Sequence, residues 1–389
     1  MEFDVQTTLA LTLLGLMVAF ALGWLASRFD VRQWKREQQE SPKAYYKGLN
    51  LLLNEQQDKA IDAFIEAVQQ DPGTSELHFA LGNLFRRRGE YERAVRVHQH
   101  LLGRGDLSAT ERERAQHALA QDYVKAGLFD RAEEAFRALE GTAFATDARL
   151  ELLALHERSR DWHAAVDTAR KLEASGAGSF ASRIAHYGCE LALEADARRR
   201  GDEAADALRK AREAAPQAAR PRVLEGQREA QAGRHREALA VWDELLAVQP
   251  NAFALIALDY ATSALACHDE AAARTRLQAV YERAPSLDVL SALLRLASGA
   301  DDRLALLREH LQRHATLSGA AALLKEQLAQ GVAATPADTE ALQQLAAAAA
   351  KPLHRYRCAA CGFEAQHYFW QCPGCHGWDS YPPRRLEDQ

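Results

Sequence analysis

An all-α fold is predicted for this chain: a superhelix of stacked helical hairpins, preceded by one membrane-crossing helix and followed by a small metal-bound tip. Three observations predict it. Small residues recur about every 35 residues through the middle of the chain, an uncharged apolar run lies near its start, and four of its six cysteines fall between positions 358 and 375. Composition agrees, since 77 of 389 residues are alanine against 22 glycines and 11 prolines, which favours helix over an all-β fold. Hydrophobic residues make up 48% and charged residues 26%, enough to bury a core. Lys+Arg 48 against Asp+Glu 54 leaves a net charge of -6 and no basic excess for a phosphate backbone, so nucleic acid is not an expected partner.

The first element runs from Val5 to Ala26 without a charge. As a helix those 22 residues cover about 33 Å, against a hydrocarbon core of about 30 Å, so residues 1–27 are expected to form a single transmembrane anchor. A cleaved signal peptide would want a basic start, and Glu2 and Asp4 stand there instead. Arg28, Arg32, Lys35 and Arg36 follow the span and no Lys or Arg precedes it. That asymmetry puts the juxtamembrane linker, 28–42, and the bulk of the chain on the cytoplasmic side of the membrane, with Trp24 as an interfacial anchor. Gly15, Ala19 and Gly23 share one helix face, where another transmembrane helix could approach closely, although glycine and alanine are also simply common in such helices.

Residues 43–335 form the repeats. A small residue is followed four and seven positions later by apolar or space-filling ones: Ala60/Phe64/Ala67, Ala94/His98/Leu101, Ala132/Phe136/Leu139, Ala165/Ala169/Leu172, Ala207/Ala211/Ala214, Ala238/Trp242/Leu245 and Ala273/Leu277/Val280. The first alanines are 34, 38, 33, 42, 31 and 35 residues apart, the period of tetratricopeptide repeats. Gly48, Gly82, Ala120, Gly226 or Ala261 stands twelve before the anchor, and Pro72, Pro250 or Pro285 twelve after it ends the second helix. Arg88-Gly89-Glu90 and Ala126-Gly127-Leu128 read as inter-helix turns with a left-handed glycine. The fifth unit is irregular, and its anchor is Ala205 or Ala207. Stacked hairpins present an extended concave surface, which binds proteins far more often than it catalyses. Asn83, Arg86, Arg87, Gln121 and Lys125 are expected on that inner face as partner-binding residues. A solvated helix face is the plainer reading of Arg86-Arg87-Arg88 and of Arg198-Arg199-Arg200.

A linker, 336–352, leads to a distinct tip at 353–389, where seven aromatics stand among the 39 residues from Lys351 to Gln389. Its core is CAACGF, then CPGCHGW ten residues on. Each CxxC turn puts two sulfurs on one side of a tight knuckle, and two knuckles build a tetrathiolate cage from Cys358, Cys361, Cys372 and Cys375. One metal ion, iron or zinc, is expected there, since both accept four thiolates. It would supply much of the folding free energy of so small a domain, about 10–16 kcal/mol apparent in comparable zinc peptides. Four protein sulfurs leave no open coordination position, which argues against metal-assisted hydrolysis. His354, His367 and His376 read as surface or packing residues, and Cys189 and Cys267 as ordinary buried thiols. GxxxxGK(S/T), HExxH and GxSxG are absent, as is a GxGxxG opening a helix after a strand, and no enzyme is expected.

This order of parts resembles the lipopolysaccharide assembly protein B family across essentially the whole chain. NEQQDKAIDAF, LGNLFRRRGEYERAVRVHQ, AGLFDRAEEAF, HRYRCAACGF and YFWQCPGCHGW carry the resemblance. It implies a rubredoxin-like, zinc-ribbon metal site on the same four cysteines. The knuckles stand closer together than in true rubredoxins, and His376 replaces a glycine, which favours a structural metal over a redox one. It also implies an inner-membrane adaptor regulating lipopolysaccharide synthesis. Such an adaptor brings UDP-3-O-acyl-N-acetylglucosamine deacetylase to a membrane-anchored AAA+ protease and meets other inner-membrane lipopolysaccharide regulators. A scaffold gathering assembly enzymes without proteolysis, or an electron-transfer protein, would be the alternatives.

Overall fold

Alanine-rich sequence with a turn signal every repeat gives helical hairpins throughout. The computed structural model describes residues 13–25, 46–54, 56–70, 73–331 and 336–388. Two compact units divide the chain, Met1–Leu155 and His156–Gln389. Helices α1 (46–53), α2 (Gln57–Gln70), α3 (Ser75–Arg87), α4 (Tyr91–Leu102), α5 (Ala109–Lys125), α6 (Phe129–Arg137) and α7 (Ala145–Ser159) come first. Then follow α8 (Trp162–Ala174), α9 (Ala181–Ala197), α10 (Gly201–Ala214), α11 (Ala219–Gln231) and α12 (His235–Val248). After a 3-10 turn at Pro250–Ile256 come α13 (Ala257–Cys267), α14 (Glu270–Arg283), α15 (Leu287–Arg295), α16 (Ala300–Arg313), α17 (Leu317–Ala329) and α18 (Pro336–Ala350). Side chains cap several of them: Ser108 and Glu111 form a reciprocal capping box on α5, and Asp161, Ser286 and Thr316 cap α8, α15 and α17.

Size complementarity locks the hairpins. A Cβ on Gly82 would lie 2.5 Å from the His98 ring, one on Gly226 2.2 Å from Trp242 Nε1, and one on Gly48 2.8 Å from Phe64. In these three hairpins the glycine twelve before the anchor therefore seats the large residue four after it, and Trp242 and Phe64 are almost wholly buried as a result. The fifth hairpin corrects the expected anchor. Ala205 is exposed and Ala207 half-buried, whereas Ala204, Leu208 and Ala211 are all buried, so the pattern falls on Ala204. Five residues before the anchors from Ala94 onward the backbone is left-handed, at Gly89, Gly127 and Gly233 but also at Arg160, Arg199 and His268. The recurrence of that turn at Arg199 confirms Ala204. Pro250 and Pro285 stand just past α12 and α14 as expected, and Pro72 lies outside the described residues.

Two further expectations meet the structure differently. Residues 336–352, read as a linker, are mostly helix α18, because the alanine run has high helix propensity and Ala350 is buried. Of the expected anchor, residues 13–25 are helical and every side chain there is exposed, Phe20 by 77% and Leu16 by 70%. A Cβ on Gly15 or Gly23 would meet nothing within 4 Å. The rest of 1–27 and the linker 28–42 lie outside the described residues, and among the described ones no helix is long and apolar enough to cross a membrane.

Candidate metal centre

Two short strands, β1 (Tyr356–Arg357) and β2 (Glu364–Ala365), pair antiparallel and aim the first knuckle, and a single bridge from Gln371 to Trp378 frames the second. The knuckles repeat one hydrogen-bond pattern. Cys358 N donates to Phe363 O at 2.9 Å and Gly362 N to Cys358 O at 2.9 Å; Cys372 N donates to Gly377 O at 2.9 Å and His376 N to Cys372 O at 2.8 Å. Gly362 and His376 occupy the same left-handed position, φ 77° and 57°, so the histidine that stands in place of glycine takes up a glycine-like backbone.

All four sulfurs lie within 4.8 Å of one another. Cys358 Sγ is 3.8 Å from Cys375 Sγ, and Cys361 Sγ 3.7 Å from Cys372 Sγ. A tetrahedral ion with bonds of about 2.3 Å requires edges of about 3.8 Å, the length these two edges already have, so the cage suits a tetrathiolate metal. Gly374 N donates to Cys372 Sγ at 3.3 Å, and the Ser380 hydroxyl with the Cys361 and Ala360 amides holds the Cys358 thiol below its ordinary range. Cys358 and Cys372 are buried, whereas Cys361 and Cys375 are exposed at the knuckle tips. Away from the cage, Cys189 is buried and its thiol is pushed up to about 12, an inert packing residue.

The face opposite the knuckle tips is docked on the repeats of its own unit. Trp378 stacks on His186 of α9, 4.6 Å between ring centroids, and its indole N–H donates to Glu157 at 3.0 Å. Asp379 accepts from His186 Nε2 and from the Ser182 hydroxyl, both at 2.8 Å. Burial opposes its charge, yet His186 and Ser182 hold its carboxyl below the ordinary value. Buried Arg220 of α11 lies 5.8 and 5.9 Å from the Trp370 and Trp378 rings and donates to Glu190 at 2.6 Å. A second clamp holds the other end. Arg385 contacts both carboxylate oxygens of Asp288 at 3.0 to 3.2 Å, Leu287 N at the start of α15 donates to Asp388 at 3.1 Å, and Ser318 N of α17 donates to Glu387 at 2.9 Å. Sequence reasoning missed these docking residues; the aromatic enrichment of the tip was the one signal pointing to them.

In the first unit, Arg86 donates to Asp122 at 2.8 Å, to Ala118 O at 2.9 Å and to Asn83 at 2.6 Å, tying α3 to α5. Asp122 is fully buried and also lies 2.5 Å from His98 Nδ1. Arg87 and Lys125 are exposed and Gln121 half-buried. Thus Asn83 and Arg86 belong to a structural network, while Arg87 and Lys125 face solvent. Arg88 and Arg200 pair with nearby acids at exposed turns, as a solvated face requires.

This chain is similar to several known proteins. A family described as a rubredoxin metal binding domain covers residues 356–382. Lipopolysaccharide assembly protein B of Escherichia coli K12 is 31% identical over 97% of this chain and 98% of its own length. The Haemophilus influenzae protein of that name is 27% identical over 96% of this chain and 98% of its own. Among solved structures, a tetratricopeptide repeat protein from Parabacteroides merdae matches with a TM-score of 0.34 and 14% identity, covering 66% of this chain and 99% of that one.

Proposed function

The chain belongs to the lipopolysaccharide assembly protein B family, and from that membership we propose that it is a non-catalytic, membrane-held adaptor in lipopolysaccharide assembly. The relatives' names support the assembly role. One structural observation supports the adaptor reading: the metal tip is spent entirely on thiolate ligation and docking. Its cage has no place for a substrate, and its docked face is bonded to α9, α15 and α17, so the tip and these helices of its own unit offer one continuous binding surface.

In this reading the exposed apolar helix at 13–25 anchors the chain in the inner membrane, with its bulk on the cytoplasmic side. Its partners are a membrane-anchored AAA+ protease and UDP-3-O-acyl-N-acetylglucosamine deacetylase, held near one another. Tethering in two dimensions raises their effective concentration without chemistry by the adaptor, and degradation of the deacetylase then sets the level of synthesis. The test is the half-life of the deacetylase in cells with the intact protein and with Cys358→Ser/Cys361→Ser. The double variant should leave the deacetylase long-lived. Unchanged turnover would sink the protease-adaptor reading and leave a scaffold without proteolysis.

A further inference from the structure

A cavity of about 660 Å³ opens in the second unit where α17, the end of α18 and the metal tip meet. Its charged lining is one-sided: Lys351, Arg355 and Arg385 line it together with His354, and no carboxylate does. The larger groove between α8 and α10 has no such bias, since Asp161, Asp167, Glu194, Glu203 and Asp206 line it beside four cations. Ala321, Ala347, Ala348 and Pro352 make much of the remaining wall apolar.

The cations differ in how far they are already engaged. Lys351 is exposed and takes part in no ion pair among the described residues. Arg355 reaches Glu364 only at 3.6 Å, and Arg357 holds that carboxylate more closely, at 2.7 Å. Such half-exposed pairs are weak and exchange readily. Arg385 is balanced by Asp288 and donates to His354 O, yet those bonds leave one N–H free on each terminal nitrogen of its guanidinium. Gln366, also exposed, adds an amide with no partner among the described residues. Lys351 stands just past α18 and so also complements the negative end of that helix. Arg355 and Arg385 have no such duty, because they belong to the tip, and the Ala350 carbonyl is already taken by the Leu353 and His354 amides.

We propose that this cavity binds the phosphoryl group of an organic phosphate. A carboxylate would answer only one of the two available charges, whereas a phosphomonoester carries about -1.5 to -2 at neutral pH and offers three acceptor oxygens. Lys351 and Arg355 meet its charge, the spare N–H groups of Arg385 and the Gln366 amide bond its oxygens, and the alanine wall receives the carbon part. A ligand held this way touches α17, α18 and the tip at once, so it favours the docked tip. This goes beyond the adaptor reading and stands or falls without it.

The test is calorimetric titration of the full metal-loaded chain, in an uncharged detergent, with phenyl phosphate and with benzoate as the singly charged control. Phenyl phosphate should bind, and benzoate about tenfold more weakly. Lys351→Ala/Arg355→Ala should weaken phenyl phosphate about tenfold with metal content unchanged. Glu364→Gln, which frees Arg355, should tighten it about threefold, so the proposal stays open to refutation even where the double variant folds poorly. At ligand tenfold above its Kd, hydrogen exchange of residues 353–388 should slow about tenfold, because only the docked tip completes the site. No binding of phenyl phosphate at millimolar concentration, equal binding of benzoate, wild-type affinity in the double variant, or unchanged exchange would overturn the proposal. Short-chain dihexanoyl phosphatidic acid separates the two sources of the group: tighter binding than phenyl phosphate assigns a lipid headgroup and equal or weaker binding a soluble phosphate, and either upholds the phosphoryl site.

Discussion

Replacing Trp378 by alanine should release the metal tip from the repeats without unfolding either. The ring stacks on His186, edges Trp162 and Tyr187 and lies near Arg220, while its N–H reaches Glu157. Buried tryptophan truncations cost about 3–5 kcal/mol, and this half-buried ring should account for about 1.5. The bond to a carboxylate adds about 1.5 kcal/mol. Glu157 keeps Arg183 and Tyr187 as partners, so no lone buried charge is left behind. The total, about 3 kcal/mol, is two orders of magnitude in the docking equilibrium. Hydrogen exchange of the peptides covering residues 353–388, with metal content measured in parallel, reads it directly. Exchange should quicken about a hundredfold with metal retained, and Trp378→Phe, which keeps a ring and loses the N–H, about tenfold. Unchanged protection in Trp378→Ala would refute the docking energetics; loss of metal would show that the tip cannot fold undocked.

Three other outcomes follow. Chelation of the metal should unfold the tip and shift the Trp370 and Trp378 fluorescence to the red while far-ultraviolet helicity is largely kept; an intact near-ultraviolet signal from the tip would contradict its dependence on the ion. Gly226→Ala, which drives a Cβ to 2.2 Å from Trp242 Nε1, should cost about 2–3 kcal/mol by overpacking, read as a lower melting temperature, and a neutral result would mean the hairpin can give way. Asp379 titrates below its ordinary value when docked, so its contribution is complete above about pH 4 and is lost as the pH falls through the docked value. Exchange of the tip should therefore be flat from pH 7 to 5 once corrected for intrinsic rates and rise at lower pH; a rise already at pH 6 would point to another group.

The repeats and the cage were legible because their signals are local or periodic. Two CxxC turns name four ligands, and a small residue every 34 or so positions names the hairpins. The fifth anchor went astray by three residues because Ala204, Ala205 and Ala207 are chemically alike, and only burial distinguishes them. Asn83 and Arg86 read as inner-face residues from their place on the first helix of a repeat, and the structure adds their tie to Asp122, which stands 36 positions after Arg86, one repeat away. Opposite charges one period apart were thus an available signal. The docking was not available: Ser182 and Asp379 are separated by 197 residues with no shared pattern, and nothing local marks a surface that meets another so far along the chain.

A solenoid is ordinarily a spring, each coil answering only to its neighbours and fraying independently. Here the sulfur-bound tip acts as a strut, fastened to α9 at one end and to α15 and α17 at the other. Coils that would otherwise flex apart must stretch or melt in concert. Any guest that bends this stretch has to break the brace first, and a guest that fits it rigidly inherits a preset curvature at little entropic cost.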